Sequence, residues 1–332
     1  MNKKFITKIL LVFLFLIIAF TFTMSPCVNA TEGKENTKLY ATNDFLSEED
    51  LITTQNTNEG QIEMYDATTG ETTQIDMNEL RNNIANTYAT NGRSITRTQP
   101  YNPYFEKQSV TATPRSGYVR VFNPSGNYPY RDVCRIKANA VIDGNLMELV
   151  ASGFLVGPNL LLTNAHTVMN RDNNDEFFEN WVAYPAYDNG PYNNYSSGWA
   201  KIYYSSNWKS SHAIGDDWCL CILYENLGSE LGWLGCQHYG TSEAMQGLSI
   251  KTVGYPASEG FGENQYYSIG AIQEVEDYFF STSASITGGM SGGPVIQTSD
   301  DYVAGINKGY TGTEGVAVKI NQDIIDLILD NS

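Results

Sequence analysis

The chain has 332 residues, of which 42% are hydrophobic and 17% are charged, and its formal net charge is −17. This length is enough for one large domain or two small ones, with a sizeable core. A chain this acidic is a poor partner for nucleic acid or an anionic membrane, because both require clustered Lys and Arg. The non-periodic glycines and the 12% aromatic content exclude collagen, a coiled coil and bulk disorder.

The first 30 residues have the pattern of an export signal. Lysines within the first eight residues precede an apolar run, Ile9–Phe22, and a Val-Asn-Ala sequence ends at Ala30. A positive start, an apolar centre and a small-residue site are typical of a secretory signal peptide. We predict cleavage after Ala30 and secretion, with no stable membrane association afterwards. A retained N-terminal anchor is the alternative, and lipidation at Cys27 is disfavoured because Pro26 replaces the small residue that a lipoprotein signal needs.

Residues 31–115 are polar and rich in Thr, Asn, Glu and Gln, and only the stretch from Asp76 hints at a helix. Such a stretch cannot easily bury enough apolar surface to offset chain entropy. It is either a disordered linker or, as we favour, a propeptide removed after export. The candidate cut points are Arg93, Arg97, Glu106 and Arg115.

From residue 116 to 332 the pattern changes to short apolar or alternating runs between Gly, Asn and Pro turn signals. Many short strands at this spacing predict an all-β barrel or sandwich. The last stretch has helical spacing, and Asn321 or Gln322 could begin that helix. Its apolar face is formed by Ile324, Ile325, Leu327 and Ile328.

Four cysteines remain after signal cleavage, namely Cys134, Cys219, Cys221 and Cys236. Cys219 and Cys221 lie two apart in a predicted strand, where their Cα atoms would be about 6.5 to 7 Å apart, at the limit of disulfide geometry. One long-range bridge, Cys134–Cys236, and four buried free thiols are both compatible with the sequence.

The first segment with chemical potential is SGFLVGPNLLLTNAHTV, in which two apolar runs lead to His166. A histidine just past a buried strand is held by rigid backbone and still reaches a surface cleft, as a general base requires. A histidine with an ordinary structural hydrogen bond is the alternative. The other two histidines, His212 and His238, lie in loop-like sequence and are weaker candidates.

The second segment, GDDWCLCIL, places two carboxylates at the start of an apolar strand. A carboxylate that enters a core strand is costly unless it is paired or hydrogen-bonded. One of the two could orient the histidine ring and stabilise its cation. We favour Asp217 over Asp216, because Asp217 is next to the apolar run. The alternative is that one of the two aspartates is a turn residue and the other is solvated.

The third segment, TGGMSGGPVI, surrounds Ser291 with four glycines. The lack of side chains lets a carbonyl approach the hydroxyl closely, and tight turns can aim N–H groups at an oxyanion. A glycine-rich hairpin with an exposed serine is the alternative. An α/β-hydrolase elbow is excluded because it needs a helix after the serine, whereas strand-like sequence follows here.

The order His166, Asp217, Ser291 is one known solution to a hydrolytic triad. With TNAH, DWCL and GMSGGP in this order, the chain resembles the chymotrypsin-fold serine endopeptidases, and most closely the secreted bacterial V8-like (glutamyl endopeptidase) family. The resemblance implies an all-β fold of two six-stranded antiparallel barrels with a C-terminal helix, over residues 116–228 and 229–332. It also implies a general base, its orienting carboxylate and a nucleophile, in that order, and an oxyanion hole formed by the N–H groups of Gly289 and Ser291.

The sequence departs from the V8-like pattern where the substrate side chain would bind. Asn307 stands where glutamyl endopeptidases have a histidine that contacts the acidic side chain, and Ile286 stands where they often have threonine. Thr287 and Lys308 remain as polar contacts for that pocket. A preference for Glu or Asp is therefore doubtful, and a polar or medium-sized apolar residue before the cleaved bond is as plausible.

Met290 stands where many animal members have the aspartate that pairs with a freed N-terminal amine. Any zymogen control must therefore use steric masking or another contact. The sequence has no metal or cofactor motif and predicts no cofactor, and the acidic clusters from Asp172 and Glu274 have the pattern of solvated loops more than of Ca²⁺ sites.

We predict a monomeric serine endopeptidase that acts on protein or peptide substrates. The rival interpretations are a catalytically silent homologue that binds proteins, a periplasmic HtrA-type protease and an anchored surface protein. An intact triad argues against the first, and the chain stops about 40 residues after Ser291, where an HtrA-type protease needs a peptide-binding module.

Overall fold

The computed structural model describes residues 39–41, 46, 61–88, 90, 94–104, 117–142, 144–190, 195–258 and 262–332. The predicted signal peptide and the candidate cut points Arg93, Glu106 and Arg115 lie outside these residues. A search of the described part for a helix long and apolar enough to span a membrane found none.

Strands dominate the described residues, and helices are few and short. The helices are α1 (Met77–Thr87), α2 (Trp208–Ser211), α3 (Leu227–Leu231) and α4 (Gln322–Asp330). The strands, in chain order, are β1 (Leu39–Tyr40), β2 (Ile62–Asp66), β3 (Glu71–Ile75), β4 (Val119–Arg120), β5 (Val133–Ile142), β6 (Asn145–Leu155), β7 (Leu160–Thr163), β8 (Met169–Asn170), β9 (Glu176–Phe177), β10 (Glu179–Pro185), β11 (Trp199–Ser205), β12 (Cys219–Leu223), β13 (Ser249–Gly254), β14 (Tyr266–Val275), β15 (Phe279–Thr282), β16 (Pro294–Gln297), β17 (Val303–Tyr310) and β18 (Gly315–Lys319).

The first large sheet is built on six antiparallel strands in the order β10–β5–β6–β7–β12–β11. A bridge between Ala183 of β10 and Ser197, just before β11, joins its two ends. The second sheet has the order β13–β16–β17–β18–β15–β14, and β14 pairs back onto β13, so that six strands close a barrel. The predicted pair of six-stranded barrels followed by a C-terminal helix is confirmed.

Strand β4 corrects the start that we placed for the first barrel, at residue 116. The sequence assigned residues 116–228 to the first barrel, but β4 pairs with β14 of the second sheet. The N–H of Val121 also donates to the carbonyl of Gln265. The first barrel of this domain therefore begins at β5, because residues 119–121 form their hydrogen bonds with the other sheet.

Part of the polar N-terminal segment is folded, which overturns the linker interpretation for residues 61–88. Strands β2 and β3 form a hairpin, and β2 pairs with β11 at the edge of the first sheet. Asp76 caps α1 by accepting hydrogen bonds from the N–H groups of Asn78 and Glu79. The composition argument was wrong here because the hairpin gains its stability from backbone pairing with an existing sheet, and not from its own apolar content.

Helix α1 packs against the C-terminal helix α4 and extends the core. Its buried side chains, Met77, Leu80 and Ile84, join one apolar cluster with residues of α4 and both sheets. Each such side chain contributes about 2 kcal/mol when it is removed from water. Arg81 pairs with Asp323 and Asp326 of α4 at 2.5 and 2.9 Å, so the N-terminal segment is bound to the second half of the molecule.

The four cysteines after the signal are buried and free. The Sγ atoms of Cys219 and Cys221 are 4.0 Å apart, which is about twice the length of a disulfide bond. Burial raises the pKa of the thiols of Cys134, Cys219 and Cys236 above the ordinary value. Of the two possibilities that the sequence left open, the structure has the free thiols.

Candidate active site

His166 and Asp217 meet because they lie at the same end of two paired strands. Strands β7 and β12 are antiparallel neighbours with Thr163 opposite Cys219. His166 lies in a 3₁₀ turn three residues after Thr163, and Asp217 ends another 3₁₀ turn two residues before Cys219. The C-terminal end of one strand therefore adjoins the N-terminal start of the other.

The Asp217 carboxylate holds the histidine at two points. Its Oδ2 lies 2.6 Å from His166 Nδ1, and its Oδ1 accepts the His166 backbone N–H at 3.0 Å. Both side chains are buried, and Asn164 Nδ2 donates to the Asp217 carbonyl. Of the two carboxylates in the motif, Asp217 is thus the one on the ring. Asp216 instead accepts hydrogen bonds from Ser205 and Ser211.

A third group completes this cluster, since Lys308 Nζ lies 2.9 Å from Asp217 Oδ2 and 3.4 Å from His166 Nδ1. Burial opposes ionisation of Asp217. The charges of His166 and Lys308 and the hydrogen bonds from His166 outweigh burial, so the pKa of Asp217 lies well below its ordinary value. We had expected Lys308 to line a substrate pocket. The structure corrects this, because the Lys308 side chain is 4% exposed and its ammonium lies at the Asp217 carboxylate.

Ser291 reaches the same place from the second barrel. It lies in the loop before β16, and β16 pairs with β17 so that Pro294 is opposite Ile306, two residues before Lys308. The Ser291 hydroxyl donates to the Lys308 carbonyl at 2.8 Å. Lys308 therefore contacts all three predicted residues, with its ammonium at the carboxylate and the ring and its carbonyl at the hydroxyl.

The loop around Ser291 aims two N–H groups in defined directions. The carbonyls of Gly288 and Met290 accept from Ala257 and Gly293 at 2.8 and 3.0 Å. Because a trans peptide points its N–H opposite to its carbonyl, the N–H groups of Gly289 and Ser291 point away from these anchors. They are the two donors that the family resemblance assigns to an oxyanion.

The conformation of Gly289 requires glycine. Its φ is +90°, and a Cβ at this position would lie 2.5 Å from the carbonyl oxygen of Tyr255. The glycine-rich sequence around Ser291 thus has a local physical cause, in addition to the access that it gives to the hydroxyl.

The predicted substrate-binding residues are largely buried. Asn307 Nδ2 donates to the carbonyl of Val253 at 3.2 Å, and the residue is fully buried. Ile286 is buried beside Gly315, and a Cβ added to Gly315 would lie 2.8 Å from the Ile286 side chain. Thr287 is half-buried and uses its carbonyl to accept the Met290 N–H. The Asn307 amide is therefore part of the barrel's hydrogen bonding.

Ser152 is a residue whose role the sequence did not indicate. Its N–H donates to the Ser291 carbonyl at 2.9 Å, and its hydroxyl donates to the Gly289 carbonyl at 2.8 Å. The same hydroxyl accepts the N–H of Tyr255. This small side chain in β6 therefore fixes the loop that carries Ser291. No local sequence pattern specifies a contact 139 residues away.

The other two histidines have structural partners. His212 Nε2 lies 2.9 Å from an Asp175 carboxylate oxygen, and His238 Nδ1 lies 3.1 Å from the Ile320 carbonyl. The part of the chain that the structure describes, which includes the acidic clusters from Asp172 and Glu274, contains no group of three His, Cys, Asp or Glu side chains that could hold a metal ion.

Part of the chain matches a known family of protein domains. Residues 151–306 match the family model described as a trypsin-like peptidase domain. A protein of Bacillus subtilis (strain 168), named extracellular metalloprotease, is 25% identical over 197 residues. That match covers 59% of this chain and 58% of the relative, so this chain spans little more than half of the relative's length.

Solved structures resemble the described fold. A Glu endopeptidase in complex with MPD superposes with a TM-score of 0.56 at 21% identity, covering 64% of this chain and 95% of that one. A thermostable serine protease AL20 from an extremophilic microorganism gives a TM-score of 0.50 at 18% identity, covering 61% and 96%. These likenesses show that the chain has a trypsin-like fold, within which residues 151–306 match the trypsin-like peptidase domain.

Proposed function

We propose that this chain is a secreted serine endopeptidase that hydrolyses peptide bonds through His166, Asp217 and Ser291. The observation that carries the proposal is the meeting of an imidazole, a carboxylate and a hydroxyl from two barrels around Lys308. The signal-like residues 1–30 and the likeness to an extracellular protein of Bacillus subtilis support export. We further propose that residues 31–115 are a pro-segment.

In the proposed reaction the Ser291 oxygen attacks the substrate carbonyl while His166 takes the hydroxyl proton. A hydroxyl has only one proton to donate, so Ser291 must first release the Lys308 carbonyl. Asp217 holds the ring and stabilises the imidazolium. The N–H groups of Gly289 and Ser291 would stabilise the oxyanion, at about 3 kcal/mol for one such donor. As the intermediate collapses, the C–N bond breaks and His166 gives its proton to the leaving amine, which forms the acyl-enzyme. Water then attacks the acyl-enzyme with His166 again as the base, which releases the acid and restores the Ser291 hydroxyl.

For the residue before the cleaved bond we propose a neutral preference. The Asn307 amide carries no charge and donates to Val253. The Lys308 ammonium is paired with Asp217. Neither residue therefore offers a positive charge to an acidic substrate side chain, as Glu specificity would require.

The test is cleavage of casein and of a peptide library by the secreted, processed protein and its variants. Ser291→Ala and Asp217→Asn should lower kcat/KM by about 10⁴-fold. Asp216→Asn is the matched control, since Asp216 is adjacent in sequence but does not contact His166, and it should retain activity. Equal cleavage by wild type and Ser291→Ala would refute the enzyme proposal. A folded but inert wild type would favour the silent binding homologue.

A further inference from the structure

Two parts of the pro-segment, β1 and Leu46, form backbone hydrogen bonds with strands on either side of Ser291. Strand β1, Leu39–Tyr40, pairs in parallel with β6 at Glu148 and Leu149. Farther along the chain, the Leu46 N–H donates to the carbonyl of Tyr310 at the end of β17, at 2.8 Å. These contacts place the N-terminal chain on one strand of each barrel.

Both of these strands contact Ser291 directly. Leu149 is three residues before Ser152, whose N–H bonds the Ser291 carbonyl. Tyr310 is two residues after Lys308, whose carbonyl accepts the Ser291 hydroxyl. At about 3.3 Å per strand residue, the pro-segment pairs within about 10 Å of each of these contacts. An extended substrate that adds to the same strands would compete with it.

The Leu46 contact is apolar as well as polar. Its side chain is 7% exposed and belongs to the apolar cluster that also contains Ile306 of β17. An N–H donor to a strand end, combined with a buried side chain, is how an extended peptide binds a sheet edge.

The rest of the pro-segment tethers these residues to the molecule. Strand β2 pairs with β11 over five residues, and α1 is held to α4 by Arg81 and by buried apolar side chains. Such tethering makes the docking of β1 and Leu46 intramolecular, so that weak contacts suffice.

We propose that the edges of β6 and β17 beside Ser291 are a docking surface for the pro-segment, occupied through β1 and Leu46, and that this docking excludes substrate until the pro-segment is cleaved. This inference rests on the proposed function. Met290 excludes activation through an ion pair with a new N-terminus. In this proposal, competition for the strand edges provides the control instead.

The experiment measures peptide hydrolysis by the purified, unprocessed chain, with mass spectrometry to verify that it is intact. Leu46→Pro removes the N–H that bonds Tyr310, and Leu46→Met keeps both that donor and an apolar side chain. Leu46→Pro should raise the initial rate about fivefold, as expected for the loss of one hydrogen bond of typical net strength. Leu46→Met should match wild type. After processing, all three give the same mature chain and should have one common activity.

A second measurement covers the case in which Leu46→Pro fails to fold. A synthetic peptide copying residues 38–50 should inhibit the processed enzyme competitively, and the peptide with Leu46→Pro should bind about fivefold more weakly. No inhibition by either peptide at about millimolar concentration, which is the effective concentration that a short tether supplies, would overturn the docking proposal and leave the proposed function standing. An intact wild-type chain as fast as the processed one would do the same. If the processed enzyme is also inert, the proposed function itself fails.

Discussion

The two carboxylate oxygens of Asp217 contact three groups, namely the His166 ring, the His166 backbone N–H and the Lys308 ammonium. Oδ2 serves both His166 Nδ1 and Lys308 Nζ, and Oδ1 accepts the His166 N–H. These contacts keep the buried carboxylate ionised despite desolvation. Asp217 is therefore already ion-paired with Lys308 before His166 takes the proton of Ser291.

Asp217→Asn should destabilise the fold in a pH-dependent way. At pH 7 the change leaves the buried Lys308 ammonium without its counterion, which should lower the free energy of unfolding by about 3 to 5 kcal/mol. Because folding lowers the pKa of Asp217, wild type loses this advantage as the pH falls from about 4, the unfolded value, toward the folded pKa. Urea unfolding should therefore show a smaller difference at pH 3 than at pH 7.

Asp216→Asn is the control for that measurement. Burial raises the pKa of Asp216, in spite of hydrogen bonds from Ser205 and Ser211, so its charge does not stabilise the fold at pH 7. Its removal should leave the free energy of unfolding there unchanged or higher. The interpretation of Asp217 would be contradicted by an equal difference between wild type and Asp217→Asn at both pH values.

Lys308→Met should destabilise the fold at pH 7, because it removes the ammonium that lies 2.9 Å from the buried Asp217 carboxylate. Breaking such a buried ion pair should lower the free energy of unfolding by about 3 to 5 kcal/mol. Lys308→Arg, which keeps the charge, should stay near wild type in urea unfolding. A free energy of unfolding equal to that of wild type in Lys308→Met would mean that the ammonium has only a packing role.

Antiparallel pairing of elements explains why the three distant motifs meet. The β7–β12 pair joins His166 to Asp217, and the β16–β17 pair joins Ser291 to Lys308. Each motif follows or precedes a short buried strand, so its position is fixed by a rigid sheet. Ser152 of β6 links the loop of Ser291 to the first barrel.

The sequence predicted the elements whose cause is local. His166, Asp217 and Ser291 each stand beside an apolar strand or in a glycine-rich turn, and those patterns are visible without coordinates. The contacts of Lys308 could not be predicted, because they depend on the register of β17 against β16. The β2–β3 hairpin was missed for a related reason, since its polar strands are stabilised by pairing with β11.

Gly289→Ala should test the oxyanion loop. The positive φ and the 2.5 Å approach to the Tyr255 carbonyl force the peptide to shift when a Cβ is added. We expect kcat to fall about 10²-fold, as for loss of one oxyanion donor, with little change in KM. Gly312→Ala is the control, because a Cβ there meets nothing within 4 Å. A kcat equal to wild type in Gly289→Ala would count against this loop as the oxyanion site.

At the scale of the whole molecule, two barrels, a C-terminal helix and part of the polar N-terminal segment share one apolar cluster. Leu46, Leu80, Ile306 and Ile328 all belong to it. This segment, the proposed pro-segment, therefore contributes to the core, and the sheet edge at β11 is covered by β2. If the segment is removed by processing as proposed, the stability of the protein should change.

The thiol content tests the packing of the molecule. With four buried free cysteines in the described chain and raised pKa values for three of them, the native exported protein should react with less than one equivalent of a thiol reagent. Denaturation without reductant should release all four thiols. Release of only half of them would show that a Cys134–Cys236 bridge forms on export, contrary to the structure.

The central claim, that Ser291 is a nucleophile activated by His166, is tested most directly by fluorophosphonate labelling of the processed protein followed by peptide mapping. The account predicts one label per chain, on Ser291, with no labelling of Ser291→Ala and much slower labelling of His166→Ala. A correctly folded, processed wild type that takes up no label, or takes it up at another residue, would contradict the account.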